Sequence, residues 1–503
     1  MKDRFIAATM RWVLRTVFVG VVVLGIVAYR YRTDVVHSFL VGFRVTLIVL
    51  AALVLARITA AVYRFARSSR GAKFNYPRML AASWRWRWLT RNLGIAYPDP
   101  HNRKTVHRGA LGPALGPHAR VEYPKAKVQY PHARFRADEY GIFALVKTTP
   151  KAGREEFEKH AKHIADAWKC HRVQIAQRAP GRLTVRGMVT DPLTIPFSLE
   201  STPPDAYAAS NPIAPYLGRD EWGDDRYANL YGLTGITIGG QPDYGKTSLV
   251  ISLLCQLAAS GAVQFVFIDG KGGGDYLPWY DRAWLHCGHD LEHAASTWAE
   301  VEGLMNNRLS AVGTVAGPRN RWHVGPTPEY PLIVTVADEC HTFFDLETAR
   351  GHGKQAETLV RQCRGSAGNL VRMGRSVLFL NVFITQKQTS DAIPTSIRDN
   401  CQLGFSFAVR NSDAAVAGLG DHIKEYPSLC PTTLQKKPDY VGACTASLQT
   451  GADPFTRLRV PALTEAYADH VAAATAEMRS DPVALLEQLL APRLAVVDHA
   501  ESA

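Results

Sequence analysis

The chain has 503 residues and a formal net charge of +13, from 58 Lys and Arg against 45 Asp and Glu. That length holds about three ordinary domains, and the surplus of cations points to polyanionic partners, either nucleic acid or the acidic face of a membrane. The eight cysteines are scattered with no C-x-x-C pair, which argues against a disulfide scaffold or a structural zinc site and for reduced thiols buried in a cytosolic body.

Residues 1–70 read as a transmembrane hairpin. The stretch 12–29 is apolar apart from Arg15, and 38–63 contains the uncharged run 45–56. A spanning helix needs about 20 mostly apolar residues, with Arg15, Arg44 and Arg57 snorkelling toward headgroups. A signal peptide fits less well, because no small-x-small cleavage site precedes a polar start and a second apolar run follows at once. Lys2, Arg4 and Arg11 before the hairpin and Arg64, Arg67, Arg70, Lys73 and Arg78 after it place both termini in the cytoplasm. The expectation is a multi-pass protein of the cell membrane with its remaining domains inside the cell.

Residues 71–137 read as a basic, irregular juxtamembrane linker, punctuated by Gly112-Pro113, Gly116-Pro117 and Pro124. Within it, Trp84-Arg85-Trp86-Arg87-Trp88 alternates ring and charge. That pattern suits membrane lipid headgroups or, as the alternative, nucleic acid; proximity to the span favours lipid. Residues 138–200 read as a small α/β adapter domain of β-α-β-β order. Its helix, 153–169, carries Phe157, Ala161, Ile164, Ala165 and Trp168 on one face, and no catalytic constellation is visible in it.

Residues 201–459 carry the chemistry. The β-branched run Ile236-Thr237-Ile238 leads into Gly240-Gln241-Pro242-Asp243-Tyr244-Gly245-Lys246-Thr247, followed by Ser248 and an apolar helix to 259. This is G-x-x-x-x-G-K-[ST] between strand and helix, the setting in which a glycine-rich loop cradles phosphates. Lys246 is then expected to bridge the β- and γ-phosphates of a nucleoside triphosphate, and the Thr247 hydroxyl to bind Mg²⁺. A second strand, 263–269, ends in a glycine-rich turn, and a helix spans 293–312. The apolar run 331–337 then reads as a strand buried on both faces, ending in Asp338-Glu339. Ligands of open α/β sheets sit at such carboxyl ends, so Asp338 is expected to hold Mg²⁺ and Glu339 to polarise the attacking water. A further strand, 377–384, ends in Thr385-Gln386. Gln386 is either a sensor of the γ-phosphate or simply a satisfied strand-end amide. Phe405 to Val409 supplies one more strand. His286-Cys287-x-His289-x-x-x-His293 reads as a plain loop rather than a metal site. The tail, 460–503, reads as two short helices without chemistry.

The order of these motifs resembles the FtsK/SpoIIIE motor family. The resemblance rests on Leu217-Gly218-Arg219-Asp220, the phosphate loop, Phe267-Ile268-Asp269-Gly270-Lys271, Asp338-Glu339, Gly374-Arg375-Ser376, Thr385-Gln386 and Ile397-Arg398-Asp399-Asn400. A single motor behind a membrane hairpin is most similar to the Tra-type plasmid-transfer proteins of mycelial high-GC bacteria. The resemblance implies a RecA-like α/β P-loop motor, a homo-hexamer, and ATP-driven pumping of double-stranded DNA. It implies that Arg375 is an arginine finger reaching a neighbour's site, with Arg410 a weaker sensor. The loop departs from the family's small residues at Pro242, Asp243 and Tyr244 and has Thr247 in place of Ser. The alternatives are a secretion ATPase, which usually strings several motors together, and a membrane scaffold under nucleotide control.

Overall fold

The computed structural model describes residues 35–98, 128–200, 213–315, 317–389, 391–448 and 454–501. The first predicted span, 12–29, lies outside them, as do 99–127 of the linker. The chain divides into two compact units, meeting in sequence at Thr190 and Asp191.

The first unit opens with the helices α1 (Val35–Ala66) and α2 (Arg70–Asn92). Among the described residues no helix is long and apolar enough to cross a membrane. The second predicted span falls in α1, where Phe43, Leu47, Ile48, Leu50, Val54 and Leu55 are all exposed. After α2 come β1 (His132–Ala137), β2 (Gly141–Lys147), α3 (Arg154–Lys159), α4 (Ala161–Trp168), β3 (Arg172–Ala179) and β4 (Arg182–Met188). The strands form an antiparallel sheet in the order β1-β2-β4-β3.

This corrects the expected linker. Residues 70–92 are helical, and β1 adds a strand that the β-α-β-β reading lacked. Met79, Ala82, Trp86 and Leu89 of α2 recur at helical spacing and pack on the core formed by Ile142, Ala144, Val146, Phe157 and Trp168. A helix turns each residue by about 100°, so a period of two puts the middle tryptophan opposite its neighbours. Trp86 is buried against Phe135, Phe157 and Trp168 and donates its indole N–H to the Pro131 carbonyl at 2.8 Å, whereas Trp84 and Trp88 are exposed. The expected single helix over 153–169 is broken at His160, which caps both α3 and α4.

The second unit is built on one ten-stranded sheet. Its elements in chain order are β5 (Tyr216–Asp220), β6 (Asp225–Tyr227), β7 (Gly235–Gly239), α5 (Lys246–Ala258), β8 (Val263–Asp269), β9 (Ala283–Cys287), α6 (Leu291–Ser310), β10 (Leu332–Asp338), α7 (Lys354–Met373), β11 (Phe379–Thr385), β12 (Leu403–Ser406), α8 (Ser412–Leu419), β13 (Ala443–Ser447), β14 (Phe455–Arg459), α9 (Glu465–Ala474) and α10 (Pro482–Glu501). The sheet order is β9-β8-β10-β11-β7-β12-β13-β14-β5-β6. The first six run parallel and the rest antiparallel.

Strands β7, β8, β10 and β11 are buried along their whole length, as expected of strands covered by helices on both faces. His286 and Cys287, expected in a loop, form part of the edge strand β9. Among the described residues no cluster of His, Cys, Asp or Glu is arranged to hold a metal, and all eight cysteines are free, five of them buried.

Candidate nucleotide site

The site is built at the carboxyl ends of the parallel strands. β7 delivers the phosphate loop and β10 delivers Asp338 and Glu339. Both pair with β11, so the two motifs stand on either side of one strand tip. At about 4.8 Å per strand that is a gap of roughly 10 Å, wide enough for a terminal phosphate and its water. The intervening tip is Thr385-Gln386.

Two glycines are indispensable to the loop's path. Gly240 has φ +140° and Gly245 φ +99°. A Cβ at Gly240 would lie 2.7 Å from the Phe407 side chain, and one at Gly245 would lie 2.8 Å from the Gly442 backbone. The loop is tied to its surroundings by Gln241 N–H donating to the Ala408 carbonyl (2.8 Å) and Gly442 N–H donating to the Tyr244 carbonyl (3.0 Å). Tyr244 packs beside Ala408, Leu434 and Ala443, so the large residue at this position anchors the loop. Asp243 adopts φ +62°, a left-handed conformation rare for a residue with a side chain, and is exposed.

Lys246 is buried, and its ammonium donates to the carbonyls of Gly240 (2.8 Å) and Gln241 (2.7 Å). Burial lowers its pKa to about 8, against the opposing pull of Asp338, Glu339 and Asp243. The lysine is therefore held along the loop by its own backbone, pointing where phosphate oxygens would replace those carbonyls.

Asp338 pairs in register with Asp269 on β8. Burial raises its pKa first, and the neighbouring Asp269 and Glu339 add to the rise, while the Glu339 N–H bonded to it at 2.8 Å opposes it. Asp269 is occupied in turning the chain, accepting from the N–H groups of Lys271 and Gly272 at 3.0 Å each. Tyr276, fully buried, lies by Asp338, and burial with that charge drives its phenol well above its usual value. The carboxylates do not form a metal cage of their own among the described residues. Mg²⁺ takes one or two protein ligands and completes its shell with phosphate and water, which suits Thr247 and Asp338 better than a cage of protein groups would.

Glu339 has φ +47°, a second left-handed side-chain residue at the site. Its carboxylate accepts from the Gln386 backbone N–H (3.3 Å) and lies 3.4 Å from the Thr385 hydroxyl, whose single proton it shares with the nearer Lys387 carbonyl (3.1 Å). The β11 tip thus holds the glutamate through Thr385 and through the main chain of Gln386, whose amide side chain is exposed. Glu339, Gln386, Arg398 and Arg410 line a cleft of about 1030 Å³ that begins at Gln241 and Pro242. Ser248 and Thr247, at the other end of the loop, open on a second cleft of about 550 Å³.

Arg375 is not brought to this site. It lies just ahead of β11, beside Gly232, which precedes β7. Both positions are at the amino ends of strands, β7 and β11, whose carboxyl ends bear the loop and Thr385-Gln386. With β11 seven residues long, the separation is roughly 20 Å at about 3.3 Å per residue. Sequence reasoning missed Thr385 as the residue that seats Glu339, and the only signal was its place at the end of a buried strand.

No family model and no curated protein matches the chain. Among solved structures it is similar to the monomer form of the pCW3 conjugation coupling protein TcpA with ATPγS, at 16% identity and TM-score 0.47, over 70% of this chain and 94% of that one. It is also similar to the cytoplasmic domain of the type VII secretion ATPase EccC of Thermomonospora curvata, at 17% identity and TM-score 0.43, over 57% of this chain and 35% of that one. The genome packaging NTPase B204 of Sulfolobus turreted icosahedral virus 2, with AMPPCP, gives 12% identity and TM-score 0.27, over 46% of this chain and 98% of that one. These overlaps all fall below a TM-score of one half, so the reading of the site rests on its own geometry. The parallel strand order, the phosphate loop and the acidic pair one strand away together make this unit a P-loop ATPase core.

Proposed function

We propose that the chain is a membrane-anchored, ATP-driven translocase of double-stranded DNA of the FtsK/SpoIIIE kind, working as a ring of like subunits with its motor in the cytoplasm. The observation that carries the reading is the meeting of Lys246, Asp338 and Glu339 at neighbouring strand tips, in a chain of net charge +13 whose motif order resembles that family. The exposed apolar side chains of α1 support membrane attachment, and the cationic surplus supports phosphate contacts that are indifferent to sequence.

In the reaction, the loop's N–H groups and Lys246 hold the triphosphate, and Thr247 and Asp338 would hold Mg²⁺, which would supply positive charge to offset the negative charge of the phosphates. Glu339, oriented by Thr385 and the Gln386 N–H, accepts a proton from water as its oxygen bonds to the γ-phosphorus and the bond to the β-bridging oxygen breaks. Arg375, remote from its own subunit's loop, would on this reading act on a neighbour's nucleotide, as its Gly374-Arg375-Ser376 resemblance implies.

The test is ATP turnover by the full chain with and without linear duplex DNA, at two salt concentrations. Stimulation of tenfold or more by duplex, lost as salt rises, is the expected result. Turnover indifferent to duplex would overturn DNA translocation in favour of a secretion motor, and no turnover at all would favour a scaffold.

A further inference from the structure

The structure assigns the nucleoside end of the nucleotide to the 550 Å³ cleft between the start of α5, the glycine-rich turn after β8, and the first turn of α9. This rests on the P-loop reading of the site and extends it to a segment in which the sequence shows no chemistry.

The direction follows from the loop. Its first residues, Gln241 and Pro242, border the cleft that holds Glu339 and Gln386, so the γ-phosphate lies at that end. The later N–H groups, at Thr247 and Ser248 on the amino end of α5, take the phosphates nearer the ribose. A nucleotide threaded this way leaves the loop past Ser248. The cleft it meets there is lined by Ser248, Ile251, Pro278, Leu463, Glu465 and Asp469. Its size falls within the usual range of small-ligand pockets.

The charge of this cleft matches a nucleoside and not a second phosphate group. Asp243, Asp275, Glu465 and Asp469 line it, and the one cation among the described lining residues, Lys271, is already paired with Asp275 at 2.9 Å. Carboxylates repel phosphate but accept hydrogen bonds from ribose hydroxyls and from the amino group of a base. Ile251, Pro278 and Leu463 supply apolar surface for a ring. α9 is fixed to the body through Ala468, Val471 and Ala472, which join the main core, so Glu465 and Asp469 project from a rigid support. The Thr464 hydroxyl caps this helix by accepting from the Tyr467 N–H at 3.3 Å.

The experiment compares ATPγS with inorganic tripolyphosphate, each with Mg²⁺, by calorimetry on the full chain. Tripolyphosphate needs only the loop, whereas ATPγS needs the loop and the cleft. Two variants are made at exposed positions on α9: Asp469→Trp, which fills the cleft, and the double substitution Glu465→Ala with Asp469→Ala, which strips its carboxylates. The inference predicts that both weaken ATPγS at least tenfold and leave tripolyphosphate within twofold of the unaltered chain. Unchanged ATPγS affinity in both variants would overturn it, as would equal losses for the two ligands. If the unaltered chain bound neither ligand, the P-loop reading itself would fall. If it bound both equally tightly, that reading would stand and the nucleoside cleft would not.

Discussion

Lys246 is the residue on which nucleotide affinity turns, and its burial makes that affinity pH-dependent. With its free-state pKa lowered to about 8, it is charged at pH 7 and mostly neutral at pH 9. A bound triphosphate favours the charged form, so binding above pH 8 must take up a proton. Affinity for ATPγS is therefore expected to fall by up to about tenfold per pH unit from pH 8 upward. Calorimetry in buffers of different ionisation enthalpy checks this: proton uptake near zero at pH 7 and rising toward one at pH 9 is the expected pattern. A flat profile would mean that Lys246 does not meet the phosphates. At this scale the sequence was largely legible, because Gly240, Gly245 and Lys246 answer to chemistry that few other residues satisfy. The left-handed backbone of Asp243 and Glu339 was not, since nothing in a residue's identity announces a conformation imposed by its surroundings.

The parallel strands β7, β8, β10 and β11 were readable at the level of elements because burial on both faces writes an apolar run. The antiparallel extension was not. β14 reads Phe455-Thr456-Arg457-Leu458-Arg459, a pattern suggestive of solvent, yet Arg457 and Arg459 are both buried. Arg459 donates to the Leu193 and Asp439 carbonyls, and Arg457 to those of Ser428 and Cys430. Satisfied guanidinium groups of this kind conceal a buried strand. α2 misled in the opposite sense: ring and charge alternate along the sequence, but one ring of the three is core.

Arg282 shows what such groups contribute. Wholly buried, with its pKa lowered to about 10 by burial, it donates to the carbonyls of Ala258, Ser260 and Val263 and to the Gln264 side chain. Replacing it by Ala would remove those bonds from the buried interior, although Ser260 keeps the Val263 N–H and Gln264 the Ser480 N–H as donors, at a cost of about 3 kcal/mol. The denaturant midpoint of Arg282→Ala checks this; a loss below about 1 kcal/mol would mean that water or rearrangement replaces the guanidinium.

The whole molecule joins a sheet-and-helix unit carrying α1 and α2 to the ATPase unit. The position of Arg375, at the far ends of the strands from its own loop, makes the proposed ring testable. Mixing Lys246→Ala chains, which keep Arg375, with Arg375→Ala chains, which keep the loop, is expected to restore turnover that neither variant shows alone. No recovery across mixing ratios would contradict a shared site. The Gly374-Arg375-Ser376 resemblance singled out Arg375, but its distance from its own chain's loop became visible only with the strand directions.

The central claim is that a triphosphate held by residues 240–247 faces Glu339 across the tip of β11. Its most direct test is the Glu339→Gln variant, read for both ATP binding and ATP turnover. The account predicts ATP affinity within threefold of the unaltered chain and turnover at least 100-fold slower, since the amide keeps the contact geometry but cannot accept the proton. Turnover at the original rate with intact binding would show that the water is activated elsewhere and would contradict the account.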